Sequence, residues 1–191
     1  TVRPALQLIK TKPGNKIVSS CFILVRGDEK IAMGDCAINI DPSEDDLVEI
    51  AIESAKTAKV FGIDPKVAML SYSTLGSGKG PSVTKVANAT KKIKEAAPDL
   101  AVEGEIQFDA SVSPDVAGIK CPGSPVAGQA NTFIFPDINA GNIGYKIASR
   151  LGGYTAVGPV LQGLNAPIND LSRGWNADEV YKMAIVTAAL S

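Results

Sequence analysis

The sequence predicts an α/β protein with a mostly parallel sheet flanked by helices and an antiparallel hairpin excursion. Three observations carry that reading. A near-continuous apolar run, KVAMLSYS (66–73), has the character of a strand covered on both faces. A Gly-rich turn, TLGSGKGPS, follows it and opens a helix from about Ser82 to Ala97, stopped by Pro98. The same strand–loop–helix unit recurs as NTFIFPD (131–137) and NAGNIGYKIASRLG (139–152), the signature of a parallel sheet.

The elements follow in order. Residues 1–10 suit a short junction helix, with Pro4 tolerated in its first turn. VSSCFILVRG and KIAMGDCAIN are two β-rich runs joined by a turn at Arg26–Glu29, which predicts a hairpin. Ser43 followed by Glu44, Asp45 and Asp46 is a helix start, because an oxygen cap and acids both suit the positive N-terminal end. Leu47, Ile50, Ala51, Ala58 and Phe61 then share one face, and Gly62 stands where a C-terminal cap belongs. The stretch 103–130 is rich in Gly and Pro and reads as the loop-rich wall of a site. AVGPVLQG (156–163) reads as a short strand and turn, and a last helix runs from about Asn176 to Leu190. The organisation expected is a junction helix near 1–10, an α/β domain over 16–170 and a C-terminal helix over 176–190. Ligands of such folds bind at the carboxyl ends of the strands, here the loops at 72–82, 136–142 and 162–174.

Composition narrows the chemistry. A net charge of −1 gives no basic excess for non-specific nucleic-acid binding, so small molecules are the expected partners. No apolar run approaches ~20 residues, and no membrane span is expected. There is no histidine, so a base must come from another residue type and a His-containing triad is excluded within this chain. The three cysteines, Cys21, Cys36 and Cys121, have no metal-binding spacing and read as reduced, mostly buried thiols of a cytoplasmic protein. The chain opens on Thr1 in a run that reads as the middle of a longer or split chain.

Three motifs are candidates for ligand contact. The loop with Ser73, Thr74, Gly76 and Ser77 offers backbone N–H groups beside a helix start, which suits phosphate. Ser73 and Gly80 break the Walker A pattern, and an ordinary tight turn is the plainer alternative. Asn139–Asn142 at the next helix start, with Lys146 one turn on, is either plain capping or another anion-facing end. The segment 162–174 carries Ser172 and Arg173, a hydroxyl beside a fork of donors suited to an oxyanion. Asp178 and Glu179 follow it; their plain reading is helix stabilisation, with Asn176 as cap and Glu179 as its capping-box partner.

TVRPALQLIKT, VAMLSYSTLGSGK, GEIQFDA, KCPGSPVAGQANTFIFPDINAGNIGYKIASRLGG and GPVLQGLNAPINDLSRG together resemble the phosphate acetyltransferases of the phosphate acetyl/butyryltransferase family, nearly end to end. The resemblance implies an isocitrate/isopropylmalate dehydrogenase-like fold of two α/β domains with the active site between them. It also implies a homodimer, no metal, no bound cofactor, and coenzyme A with acetyl phosphate as substrates, giving acetyl-CoA and phosphate. This chain would be the C-terminal portion, with most of the first domain absent. By position, Arg3 matches the family's acyl-phosphate arginine, Ser172 and Arg173 its serine–arginine pair, and Glu179 its carboxylate base beside Asp178. Asn142, Lys146 and the loop residues Ser73, Thr74, Gly76 and Ser77 join Arg3 as expected substrate contacts. Glu179 stands where Asp is usual, Trp175 where a small residue is usual, and Leu75 and Gly80 also depart. A phosphate butyryltransferase, or an acetyl-CoA-binding regulatory domain of a larger enzyme, is the alternative.

Overall fold

The computed structural model describes residues 7–171 and 176–190. Six strands form one sheet: β1 (Ser19–Arg26), β2 (Glu29–Gly34), β3 (Val67–Leu70), β4 (Val102–Ile106), β5 (Thr132–Ile134) and β6 (Thr155–Gln162). The helices are α1 (Glu44–Val60), α2 (Pro81–Ala96), α3 (Phe108–Val112), α4 (Pro114–Lys120), α5 (Ile138–Arg150) and α6 (Ala177–Ala189). Residues 7–9 are helical, and the rest of the expected junction helix, 1–6, lies outside the described residues. Among the described residues no helix is long and apolar enough to cross a membrane.

The strand order is β4-β3-β5-β2-β1-β6. β4, β3, β5 and β2 run parallel, while β1 is antiparallel to both β2 and β6. The hairpin is therefore not an excursion, as the sequence suggested, but part of the sheet, with β2 among its inner strands. The reason is chemical: Ser19–Leu24 of β1 are all buried, and such a strand needs cover on both faces. β6 is an edge strand, which accommodates Pro159 without breaking a ladder.

Two layers of helices enclose the sheet. α1 and α2 pack Leu47, Ile50, Ala51, Val86, Ala89 and Ile93 against Val67, Met69, Val102 and Ile134. Phe22, Leu24, Met33, Leu70, Ile106 and Phe133 form the opposite core, against which Tyr145 and Ala148 of α5 pack. α1 starts as expected: Ser43 Oγ accepts from Asp46 N–H at 3.2 Å, and Asp46 returns a bond to Ser43 N–H at 2.9 Å. Gly62 closes it in the left-handed region at φ +76°. The expected loop-rich wall at 103–130 holds more order than its Gly and Pro content implied: most of β4, then α3 and α4, with Ser113 capping α4.

Where the sheet meets α1, four polar side chains are buried together. Gln162 Oε1 accepts from Ser19 Oγ at 3.0 Å and Ser54 Oγ at 3.3 Å, and its Nε2 donates to Thr57 Oγ1 at 2.6 Å. Each group has a partner, so the cluster ties β6 and β1 to α1 without an orphan. Gln162→Leu keeps the volume but strands the Ser19 and Ser54 hydroxyls. It should cost about 2–4 kcal/mol, read as a lower urea midpoint at constant m-value; an unchanged midpoint would show the cluster to be energetically neutral.

Candidate active site

The candidate site starts at the end of β2. Asp35 is almost fully buried, and its carboxylate accepts from Ser20 Oγ, from the N–H groups of Ala37 (3.0 Å), Ile38 (3.2 Å) and Asn39 (2.9 Å), and from Asn39 Nδ2 (2.6 Å). These bonds fix the turn at 35–39. The first turn of α5 lies directly on it: a Cβ at Gly141 would collide with the Asp35 carbonyl, which is why glycine stands there. Asn142 Nδ2 donates to Cys36 C=O at 3.0 Å, and Lys146 Nζ donates to Asn142 Oδ1 at 2.7 Å. Asn142 is thus directed at the turn and at Lys146. The cap of α5 is Asp137, accepting from Ala140 N–H at 3.0 Å, and not Asn139. The aspartate precedes the Asn–Ala–Gly–Asn run that drew attention in the sequence.

From Tyr145 onward α5 borders a cavity of about 850 Å³ along the outer edge of β6, between α5 and α6. Tyr145, Lys146, Ser149 and Arg150 line one wall, and Asn176, Asp178, Glu179 and Lys182 another. Tyr145 stacks on Phe22 with centroids 4.1 Å apart and planes 12° from parallel. Burial raises its hydroxyl's pKa. Tyr154, also on the wall, lies under the Arg26 guanidinium at 4.3 Å from its ring centroid, and Arg26 donates to Gly152 C=O at 3.0 Å and to Glu29 at 2.8 Å. Hydrogen bonding to Tyr154 and Arg26 outweighs partial burial and lowers the Glu29 pKa. That cluster pins the α5–β6 turn to the hairpin.

On α6, Asn176 Oδ1 accepts from Glu179 N–H at 3.0 Å, so the expected cap is present. Asp178 is bonded to Lys182 one turn on at 2.5 Å. The two carboxylates are therefore not equivalent: that of Asp178 already holds a cation.

The Gly-rich loop is arranged differently. Ser73 Oγ and Gly76 N–H both donate to the buried Glu105 carboxylate, at 3.0 and 2.6 Å. Gly78 N–H donates to Ser73 Oγ at 2.8 Å, Thr74 N–H to Ser77 Oγ at 2.9 Å, and Thr74 Oγ1 to Gln107 at 3.2 Å. Ser73 and Thr74 are buried. The loop's donors are thus engaged within the protein, two on the internal Glu105 carboxylate and the others on Ser77, Ser73 and Gln107.

Of the residues singled out from the sequence, Lys146, Asp178 and Glu179 come together around the cavity. Asn142 stands behind Lys146, and Ser73, Thr74, Gly76 and Ser77 do not line it. Arg3, Ser172, Arg173 and Trp175 lie outside the described residues. Sequence reasoning missed Arg150, Tyr145, Lys182 and Glu105. Arg150 was within reach, because Lys146 and Arg150 are four apart and share a helical face. Glu105 was not, because its partners are 29 to 32 residues away in the chain.

The three cysteines are free and buried. Burial pushes the Cys21 thiol up to about 12 and raises Cys36 and Cys121 as well, so none is a ready nucleophile.

A family profile described as phosphate acetyl/butaryl transferase matches residues 1–188. The phosphate acetyltransferase of Bacillus subtilis (strain 168) is 61% identical over 189 residues, covering 99% of this chain and 58% of that protein. That of Staphylococcus epidermidis (strain ATCC 12228) is 57% identical over 194 residues, covering 99% of this chain and 59% of that protein. A phosphotransacetylase crystal structure from Streptococcus pyogenes superposes with a TM-score of 0.97 at 60% identity, over 99% of this chain and 58% of that one. A branched-chain phosphotransacylase from Enterococcus faecalis V583 superposes at 0.74 with 23% identity, over 92% of this chain and 66% of that one, a likeness of fold. The chain thus spans 58–59% of the curated relatives described here.

Two measurements check this geometry. A thiol-reactive disulfide reagent should label none of the cysteines rapidly in the folded protein and all three in denaturant; a fast native reaction would contradict the burial. Glu105→Ala should speed amide exchange over residues 73–78 by ~10–100-fold, the loss of a charge-assisted bond. Unchanged exchange would show that the loop holds its shape without the carboxylate.

Proposed function

This chain belongs to the phosphate acetyl/butaryl transferase family, and from that premise we propose that the protein it forms part of moves an acetyl group between phosphate and the thiol of coenzyme A. The observation that supports this most is the cavity at the β6 edge, where the cations of Lys146 and Arg150 share walls with the carboxylates of Asp178 and Glu179. Leu171 and Asn176, which flank residues 172–175 in the sequence, both line it. A polyanionic substrate bearing a thiol needs such a division, with cations for its phosphates and a carboxylate for its proton.

The reaction follows from those groups. Glu179 takes the thiol proton of coenzyme A, whose free pKa of ~8.5 leaves only a few per cent as thiolate at neutral pH. The thiolate sulfur attacks the acetyl carbonyl carbon, a C–S bond forms, and the C–O bond to phosphate breaks. Arg173, with Arg3, stabilises charge on the carbonyl oxygen and on the departing phosphate, and Ser172 orients the acyl phosphate. The proton on Glu179 then passes to phosphate or solvent. Lys146, held through Asn142, and Arg150 receive phosphate groups of coenzyme A. The Gly-rich loop, after β3, lies away from this cavity, and contact with substrate there falls to its exposed residues Gly76 and Ser77.

Coenzyme A is a substrate in this reading, and no metal or prosthetic group takes part. The finer expectations go with it: an isocitrate/isopropylmalate dehydrogenase-like fold, a cytoplasmic homodimer, and a site completed by the part of the relatives' length that this chain does not span.

Acetyl-CoA formation from acetyl phosphate and coenzyme A, followed by thioester absorbance on the full-length gene product, tests the proposal. Activity is expected, and Arg173→Ala should lower kcat by ~10²–10³-fold; a loss of less than about threefold would remove Arg173 from the mechanism. Glu179→Gln should cost ~10²–10⁴-fold and flatten the pH profile. Asp178→Asn, whose carboxylate is bonded to Lys182, should stay within about fivefold of the parent. The reverse ranking would move the base to Asp178.

A further inference from the structure

In the segment that follows β6, one side-chain amide, that of Asn169, is engaged at both ends. Asn169 Oδ1 accepts from Leu161 N–H in β6 at 2.8 Å, and Asn169 Nδ2 donates to Thr187 Oγ1 in α6 at 2.8 Å. Thr187 Oγ1 in turn donates to Met183 C=O at 2.8 Å, so the acceptor orientation of the hydroxyl is itself set by the helix. One side chain therefore bridges the edge strand and the last helix, three residues before Ser172.

The packing of α6 makes this bridge matter. Only Met183 and Val186 of the helix are buried, against Val160 with Phe61, Val157, Leu171 and Leu190 around them. Tyr181 and Ile185 on its other side are exposed. So small an apolar contact resists separation but allows sliding and rotation, because dispersion is not directional. Hydrogen bonds with fixed donors and acceptors are directional. The Leu161–Asn169–Thr187 chain supplies the register of α6 along β6, and with it the placement of Glu179 at the helix start.

We propose that Asn169 is a positioning residue for acetyl transfer: by tying α6 to β6 it sets the register of the helix and with it the position of Glu179 at the helix start. The inference rests on the roles proposed above for Arg173 and Glu179. Asn169 itself touches neither substrate nor proton.

The test is a double-mutant cycle in the full-length enzyme, with Asn169→Ala, Thr187→Val and the pair, beside Arg173→Ala and Thr187→Ser. Asn169→Ala and Thr187→Val should each lower kcat by ~10–100-fold while KM for both substrates moves by less than about threefold, as expected for misplacement of catalytic groups. The double variant should be no slower than the slower single one, because both break one bridge. Thr187→Ser, which keeps the hydroxyl, should restore kcat to within about threefold of wild type. Circular dichroism and the melting temperature establish that each variant is folded. If Asn169→Ala does not fold, the near-isosteric Thr187→Val decides alone. Singles near wild-type kcat with Arg173→Ala inactive would overturn the positioning role and leave the proposed function standing. Additive losses, or a Thr187→Ser variant as slow as Thr187→Val, would overturn it too. An unaffected Arg173→Ala would overturn the proposed function and this inference with it.

Discussion

A buried carboxylate at the end of an inner strand is the constraint on which the site depends. Asp35 cannot be left unpaired in the interior, and five donors converge on it from Ser20, the turn at 37–39 and the Asn39 side chain. Satisfying that charge freezes the turn after β2. The frozen turn presents Cys36 C=O to Asn142, and Asn142 holds Lys146. A requirement of burial is thereby transmitted, through two side chains, to a cation on the wall of the cavity. The absence of a Cβ at Gly141 lets α5 come close enough for this to happen.

The opposite wall is built with less. β6 is the edge of the sheet, and α6 rests on it with two buried side chains. Such a helix suits a boundary, exposing one face to water or a partner and offering its first turn to a ligand. Its polar ties do what a larger core does elsewhere. The Gln162 cluster anchors the end of β6 to α1, and Asn169 joins the next segment to both strand and helix. The site thus joins a stiff half, α5 on the Asp35 turn, to a half whose register depends on a few directional bonds. The Gly-rich loop is likewise organised around a charge, the Glu105 carboxylate, which accepts from the Ser73 hydroxyl and Gly76 N–H.

Much of the fold could be read from the residues, for reasons that differ by element. Ser43 with Asp46 and the apolar face through Ala58 announced α1, because capping and periodicity are local. The two hairpin strands were plain for the same reason, but not their place in the sheet, which pairing with distant β5 and β6 decides. β4 was hidden: VEGEI carries two glutamates and a glycine, and only contacts with β3 and α2 make it a strand. Lys146, Asp178 and Glu179, singled out by position, line one cavity. Its location was not legible, since the strand-end rule pointed to loops while the cavity runs along the β6 edge. The inward direction of Ser73 and Gly76 likewise depends on Glu105, which no local pattern links to them.

The central claim is that coenzyme A lies in the cavity between α5 and α6. Hydrogen exchange on the full-length protein, with and without saturating coenzyme A, tests it most directly. The account predicts protection concentrated at residues 143–150 and 176–183, with little change across most of the 72–80 loop. Protection confined to that loop, or none in either helix, would contradict it.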